Sequence, residues 1–346
     1  MLRIVAFRLL VVLGLCSGAG CAHRKASVPG ISGRTGDEII VAGQMFHTGT
    51  RVVTWMDPNG YDAYRTERRF APLEESSFEK TQPVAPEIRS PSRYGLRKEG
   101  LSEQELERVR GGGWDLATLQ KRVDQFVIHY DVAGFSRNCF RILHDQRGLS
   151  VHFMLDLDGT IYQTLDLKER AAHATIANSR SIGIEIANLG AHPPGTAPLL
   201  NEWYLRDKSG QTFIRVPERL GDPHFLTSNF IGRPAKPEPV AGMVQGVLLL
   251  QYDLTPQQYE ALIKLTATLC RIFPNLPCDY PRDSRGVLLR RKLPAESYQD
   301  YHGILGHYHV QLNKTDPGPA FDWDRVIGRA RALLGLPALP PGNPLR

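Results

Sequence analysis

The stretch GHYHVQLNKTDPGPAFDW, residues 306–323, brings two histidines, a lysine and two aspartates together among glycines and prolines. His307 and Asp316 lie nine residues apart on it, with turn-forming residues that let the chain curl between and after them. One nitrogen and one oxygen donor on a curled loop are part of what a catalytic zinc site needs: three protein ligands and an open fourth position. A third donor would sit best on a rigid strand, and His129 in VIHYD is the best placed. Each residue also has a plainer reading. A single histidine in an apolar strand is more often a satisfied core residue than a ligand. His307 and His309 could alternate across a strand edge, so that at most one of them points at a metal.

These residues need elements to hold them. QFVIHYDV, around His129, is an apolar run of strand length and reads as a buried central strand. CFRILHDQ reads as a helix. LSVHFMLDLDGTIYQTL reads as two strands joined at Asp158-Gly159, a turn that needs positive φ. SRSIGIEIANLG is another strand. This alternation predicts an α/β fold, a mixed central β-sheet flanked by helices. In LSEQELERVR, Ser102 and Glu105 form a capping box, and WDLATLQKRV suggests a second short helix. TPQQYEALIKLTATLCRIF is the clearest helix. Thr255 caps it, Pro256 takes its first turn and Gln258 closes a capping box. Tyr259, Leu262, Ile263, Leu269, Ile272 and Phe273 line its apolar face. WDRVIGRARALLG is a final helix.

The main domain is expected at 101–336, with a proline- and glycine-rich surface insertion at about 191–246 and a tail at 337–346. Residues 22–100 read as a loosely structured extension in which EIIVAG and TRVVTWMD could be short strands. The first 21 residues have early arginines, an apolar run from Leu9 to Leu15 and small residues before Cys21. That is the build of a signal peptide. Gly18-Ala19-Gly20-Cys21 is similar to a bacterial lipobox, which implies lipidation at Cys21, export, and a membrane anchor. Ala22 after the cysteine points to the outer membrane, with the protein facing the periplasm. Cys270 and Cys278 flank a proline-turned segment, and a local disulfide is plausible there. There is no CxxC pair, which excludes a zinc ribbon.

At 346 residues, 42% hydrophobic and 23% charged, the chain is globular rather than disordered. Its +6 charge suits an anionic polymer or membrane surface. Nucleic acid is not expected, because no stretch interleaves aromatics with a dense basic run.

Four motifs, FVIHYD, LSVHFMLDLDGTIYQTL, AAHATIANSRSIGIEIAN and GHYHVQLNKTDPGPAFDW, occur in order. In this the chain resembles the zinc-dependent N-acetylmuramoyl-L-alanine amidases, a superfamily shared with phage lysozyme amidases and peptidoglycan recognition proteins. The resemblance covers roughly residues 120–190 and 300–330. It implies a zinc site of His129, His307 and Asp316, with Lys314 facing the scissile carbonyl and Glu185 as the acid-base carboxylate. It places His173 and Asn178 at the substrate groove and gives His152 a supporting role. Aspartate rather than cysteine at 316 points to the recycling-type branch. The implied substrate is peptidoglycan or muropeptides, cut between N-acetylmuramic acid and L-alanine by zinc-activated water. Members lacking a zinc ligand bind peptidoglycan without cutting it, which is the alternative reading.

Overall fold

The computed structural model describes residues 33–65, 94–110 and 113–340. The signal segment, Cys21 and most of the C-terminal tail lie outside them. In chain order come β1 (Glu38–Val41), β2 (Gln44–His47), β3 (Val52–Thr54) and β4 (Tyr94–Leu96). Helix α1 (Glu103–Arg110) starts at the expected capping box, with the Ser102 hydroxyl accepting from the Glu105 N–H at 3.2 Å. The Glu105 carboxylate accepts in return from the Ser102 N–H at 2.9 Å. Asp115 caps α2 (Leu116–Gln120) by accepting from the Thr118 N–H at 2.6 Å. Strand β5 (Gln125–Tyr130) leads to α3 (Ser136–Phe140), which widens into a π-type turn over Arg141–Gln146. Strands β6 (Phe153–Leu155) and β7 (Ile161–Gln163) form the expected hairpin, and Gly159 in its turn has φ +82°.

Next come β8 (Glu169–Ala171), β9 (Ser181–Ile186), α4 (Leu200–Trp203), β10 (Tyr204–Arg206) and β11 (Thr212–Ile214). A hairpin of β12 (Val240–Val244) and β13 (Val247–Gln251) precedes α5 (Pro256–Ile272). The Thr255–Gln258 capping box that opens α5 is present as predicted. The chain closes with α6 (Ala295–Gln299), β14 (Gly303–Gly306), α7 (His307–Val310) and α8 (Trp323–Leu333).

A mixed six-stranded sheet, in the order β14-β5-β9-β6-β7-β3, forms the centre. Only the β6–β7 pairing is antiparallel. Side chains alternate between the two faces of a strand, and this alternation decides the site. Phe126 and Ile128 of β5 and Ile182, Ile184 and Ile186 of β9 join one buried cluster with Tyr259, Leu262 and Leu269 of α5 and Ile327 of α8. The residues between them, Val127 and His129 on β5 and Gly183 and Glu185 on β9, therefore share the opposite face. Parallel pairing sets His129 directly beside Glu185.

Three expectations are corrected. TRVVTWMD does not lie apart in a loose extension: its strand β3 pairs in parallel with β7 at the edge of the main sheet. The 191–246 segment is more than a surface insertion. Leu200, Trp203 and Tyr204 are buried with Phe135 and Leu189 in a cluster of their own. A Cβ on Gly134, whose φ is +84°, would meet the Trp203 ring at 2.3 Å, so that wall can close only over glycine. Finally, Cys270 and Cys278 are free thiols rather than a disulfide.

Candidate metal centre and its surroundings

His129 is 1% exposed, near the end of a strand whose other face is all core. Strand β14 lies next to β5, and where it ends at Gly306 the chain turns into α7, whose first residue is His307. This corrects the strand-edge reading of His307 and His309. His309 is fully buried and acts as a brace. Its Nδ1 accepts from the Gly306 N–H at 2.9 Å and its Nε2 donates to the Leu289 carbonyl at 2.6 Å. Gly306 has to be small, since a Cβ there would lie 2.6 Å from Pro317. That close approach brings the Asp316 loop back over β14, where the Tyr308 N–H donates to the Asp316 carbonyl at 3.2 Å.

The three predicted donors converge. His129 Nδ1 lies 2.9 Å from His307 Nδ1 and 2.8 Å from Asp316 Oδ2, and His307 Nδ1 lies 2.9 Å from the same oxygen. Among the described residues this is one of two clusters able to hold a metal, and all three of its members are buried. The far ring nitrogens are also engaged. His307 Nε2 donates to Gln311 Oε1 at 2.5 Å, which leaves its Nδ1 lone pair free for a metal. His129 Nε2 lies 3.1 Å from His173 Nδ1, and His173 Nε2 lies 3.2 Å from Ser181 Oγ. With Nδ1 of His129 as a donor atom to metal, its Nε2–H donates to His173. Two imidazole nitrogens, each oriented from behind, and one carboxylate oxygen are a donor set that fits zinc.

Charge follows the same geometry. Burial, reinforced by His307, pushes His129 down to about 4. Burial alone would raise Asp316, but the His307 and His129 imidazoles packed against its carboxylate hold it well below the usual carboxylate range. Burial drives Glu185 the opposite way, well above that range, and the neighbouring charges of Asp316 and Asp131 add to the shift. Its Oε2 is buried without a hydrogen-bond partner. Glu185, Lys314, Asp316, His129, His307 and His173 all line one cleft of about 270 Å³, together with Arg147. A larger cleft of about 710 Å³, lined by Lys121, Arg122 and Arg180, lies by the opposite ends of β5 and β9 and holds none of these groups.

Two expected substrate contacts have other duties here. Asn178 is buried, and its Oδ1 accepts from the backbone N–H groups of His173 (3.1 Å) and Ala174 (2.6 Å), closing the loop that carries His173. It does not line the cleft. His173 does line it, but its ring nitrogens face His129 and Ser181. His152 has the supporting role the resemblance implied: its Nδ1 accepts from the Gly183 N–H at 3.1 Å.

Residues 119–213 match the family described as N-acetylmuramoyl-L-alanine amidase. The chain carries an amidase-family domain. The match contains His129, His173 and Glu185 and ends ahead of His307 and Asp316, so the geometry above supplies those two donors. No curated protein matches the chain. Several solved structures are similar to it. The endolysin amidase LysCS of Clostridium intestinale URNW is 16% identical, with 63% of this chain and 88% of that one covered and a TM-score of 0.31. AmpD is 18% identical, covering 61% and 86%, with a TM-score of 0.29. The E. coli amidase AmiD, in complex with anhydro-N-acetylmuramic acid-L-Ala-D-γ-Glu-L-Lys, is 19% identical, covering 64% and 60%, with a TM-score of 0.33.

Sequence reasoning missed the glutamines. Besides Gln311, Gln251 on β13 fixes the Asp316 loop: its Nε2 donates to the Pro317 carbonyl at 3.0 Å and its Oε1 accepts from the Ala320 N–H at 3.0 Å. Gly318, at φ +86°, is the glycine that lets Gln251 in, since a Cβ there would lie 2.1 Å from Oε1. The only sequence signal was the glycine itself.

Proposed function

We propose that this chain is a peptidoglycan hydrolase that cleaves the amide between N-acetylmuramic acid and the L-alanine of the stem peptide, with zinc held by His129, His307 and Asp316. The observation that carries the reading is the convergence of those three donor atoms beside a carboxylate, Glu185, whose buried oxygen has no partner. A zinc ion supplies Lewis acidity, which makes water more acidic and polarises an amide carbonyl. The chain's own residues do the rest. Glu185 is positioned to take a proton at Oε2 from the attacking water and deliver it to the departing amine, which cannot leave as an anion. The elevated proton affinity of its buried carboxyl suits the second half of that task, holding the proton until the amine takes it. Lys314 borders the same cleft, and its ammonium forms no ion pair among the described residues. It is placed to donate a hydrogen bond to the carbonyl oxygen as negative charge gathers there.

The test is metal analysis of the purified protein together with release of peptides bearing a free L-alanine N-terminus from isolated cell wall. Stoichiometric zinc with peptide release supports the hydrolase. Wall binding without release would instead make the chain a peptidoglycan-binding module. We also propose export and lipid anchoring at Cys21, supported by the apolar run and small residues before it. None of the described helices is long and apolar enough to cross a membrane. Cys21→Ala should abolish incorporation of labelled fatty acid, and persistent labelling would remove that anchor.

A further inference from the structure

The hairpin of β12 and β13 turns at Gln245 and Gly246, both at positive φ as a tight two-residue turn requires. Directly opposed residues of such a ribbon share a face. The inward face holds Gly242 opposite Leu249, with Leu249 buried and Gly242 pressed close to Pro319. The outward face holds Ala241 opposite Leu250 and Met243 opposite Leu248. An antiparallel ribbon with one face on the protein normally turns polar residues outward. Here all four outward positions are apolar, and Met243 and Leu248 are 49% and 47% exposed. Val247 beside the turn is similarly exposed.

Gln245 joins this tip to two further pieces. Its Nε2 donates to the carbonyls of Tyr308 at 2.8 Å and Gln311 at 3.0 Å, which brings in Leu312, 72% exposed. Its N–H donates to the Arg290 carbonyl at 2.9 Å, and its Oε1 accepts from the Lys292 N–H at 3.1 Å. The run Arg290-Arg291-Lys292 is thus fixed beside the apolar tip. All three residues are exposed, and none forms an ion pair among the described residues.

We propose that this tip docks the protein onto an anionic lipid bilayer, with Met243, Val247, Leu248 and Leu312 entering the headgroup region and Arg290, Arg291 and Lys292 meeting lipid phosphates. Apolar side chains flanked by unpaired cations are the composition that binds such an interface, since both attractions add. A second copy of this chain would bring the same three cations against their like, which is repulsive. A hydrated wall polymer would leave the apolar face unrewarded. Leu312 lies two residues before Lys314, so docking would set the mouth of the cleft beside the bilayer.

The experiment uses the full chain in a Cys16→Ser, Cys21→Ser, Cys270→Ser background, which removes any lipid anchor and the partly exposed native thiol. An environment-sensitive fluorophore is attached at Leu248→Cys or, as a control, at Ser209→Cys in the exposed turn after β10. Phosphatidylglycerol vesicles should shift the Leu248→Cys signal to the blue and leave the control unchanged. Phosphatidylcholine vesicles should give little shift. Replacing Arg290, Arg291 and Lys292 together by glutamine should weaken binding about a hundredfold, at about fivefold per cation. Four results would overturn the proposal: no shift with phosphatidylglycerol, equal shifts with both lipids, a shift that grows with protein concentration without vesicles, or one produced by isolated cell wall instead.

Discussion

Gly183→Ala tests how the site is held. Gly183 faces the cleft side of β9, and a Cβ there would lie 2.6–2.7 Å from three atoms of the His173 ring. Non-bonded heavy atoms settle at about 3.5–4.0 Å, so the ring must retreat by about 1 Å. The 3.1 Å separation of His173 Nδ1 from His129 Nε2 then stretches past hydrogen-bonding range. His129 loses the acceptor that keeps its proton on Nε2 and its Nδ1 free for metal. Loss of such a partner typically costs about 10–100-fold in metal affinity, and the overpacking costs about 1–3 kcal/mol in stability. Chelator competition should therefore show zinc bound about 10–100-fold more weakly than by the parent protein, and thermal unfolding should show a melting point lower by several degrees, at about 2–4 °C per kcal/mol. Adding His173→Ala should relieve the clash and recover stability without restoring affinity, a non-additive pair. Parental zinc affinity in Gly183→Ala, with the melting point lowered, would refute the reasoning, because His173 would then be packing and not support.

Glu185→Gln should keep zinc and lose about 10²–10⁴-fold in turnover; metal analysis with the wall-release assay reads both, and an undiminished rate would move the proton work elsewhere. Gln251→Ala removes both hydrogen bonds that fix the Asp316 loop and leaves the Pro317 carbonyl and Ala320 N–H to find others. Zinc affinity and stability should fall together, the latter by about 1–3 kcal/mol, and a normal chelator titration would contradict this. His152 is buried and neutral, pushed to about 3 by burial and by Arg97. Its folded pKa is depressed, so below about 6.5 the unfolded chain takes a proton the native state refuses. Native stability then falls with pH at about 1.4 kcal/mol per unit from this residue. His152→Asn should accordingly lose less melting temperature between pH 6.5 and pH 5 than the parent, and parallel pH profiles would count against a neutral buried imidazole.

Much of the site was legible from its motifs. The apolar run around His129 marked a buried strand and the resemblance carried by the four ordered motifs named Glu185; the structure added the shared face and the parallel register that pairs them. Gly306, Gly318 and the prolines marked a loop that must curl tightly around Asp316. What stayed hidden depends on partners far along the chain. Gln251 meets Pro317 across 66 residues, and His129 meets His173 across 44. A glutamine that latches a loop has the same composition as one facing water. Strand β3 was hard to place because three residues carry too little pattern to say which strand they join. His309 read as a strand-edge residue because the turn into α7, which buries it, begins only at His307.

The placement of β14 against β5 has a consequence for how this chain tolerates change. His129 and His307 are 178 residues apart in sequence, yet they issue from the ends of neighbouring strands. Topologically, everything between them is an excursion that leaves the scaffold and returns to its starting point. Material can be added to or trimmed from its surface loops without spreading the two imidazoles, provided the sheet strands, α5 and the hairpin behind Asp316 stay in place. The same logic suits a circularly permuted protein opened in the Asp207–Gln211 turn: both ends would fall on the periphery while the ion-gripping corner stayed whole.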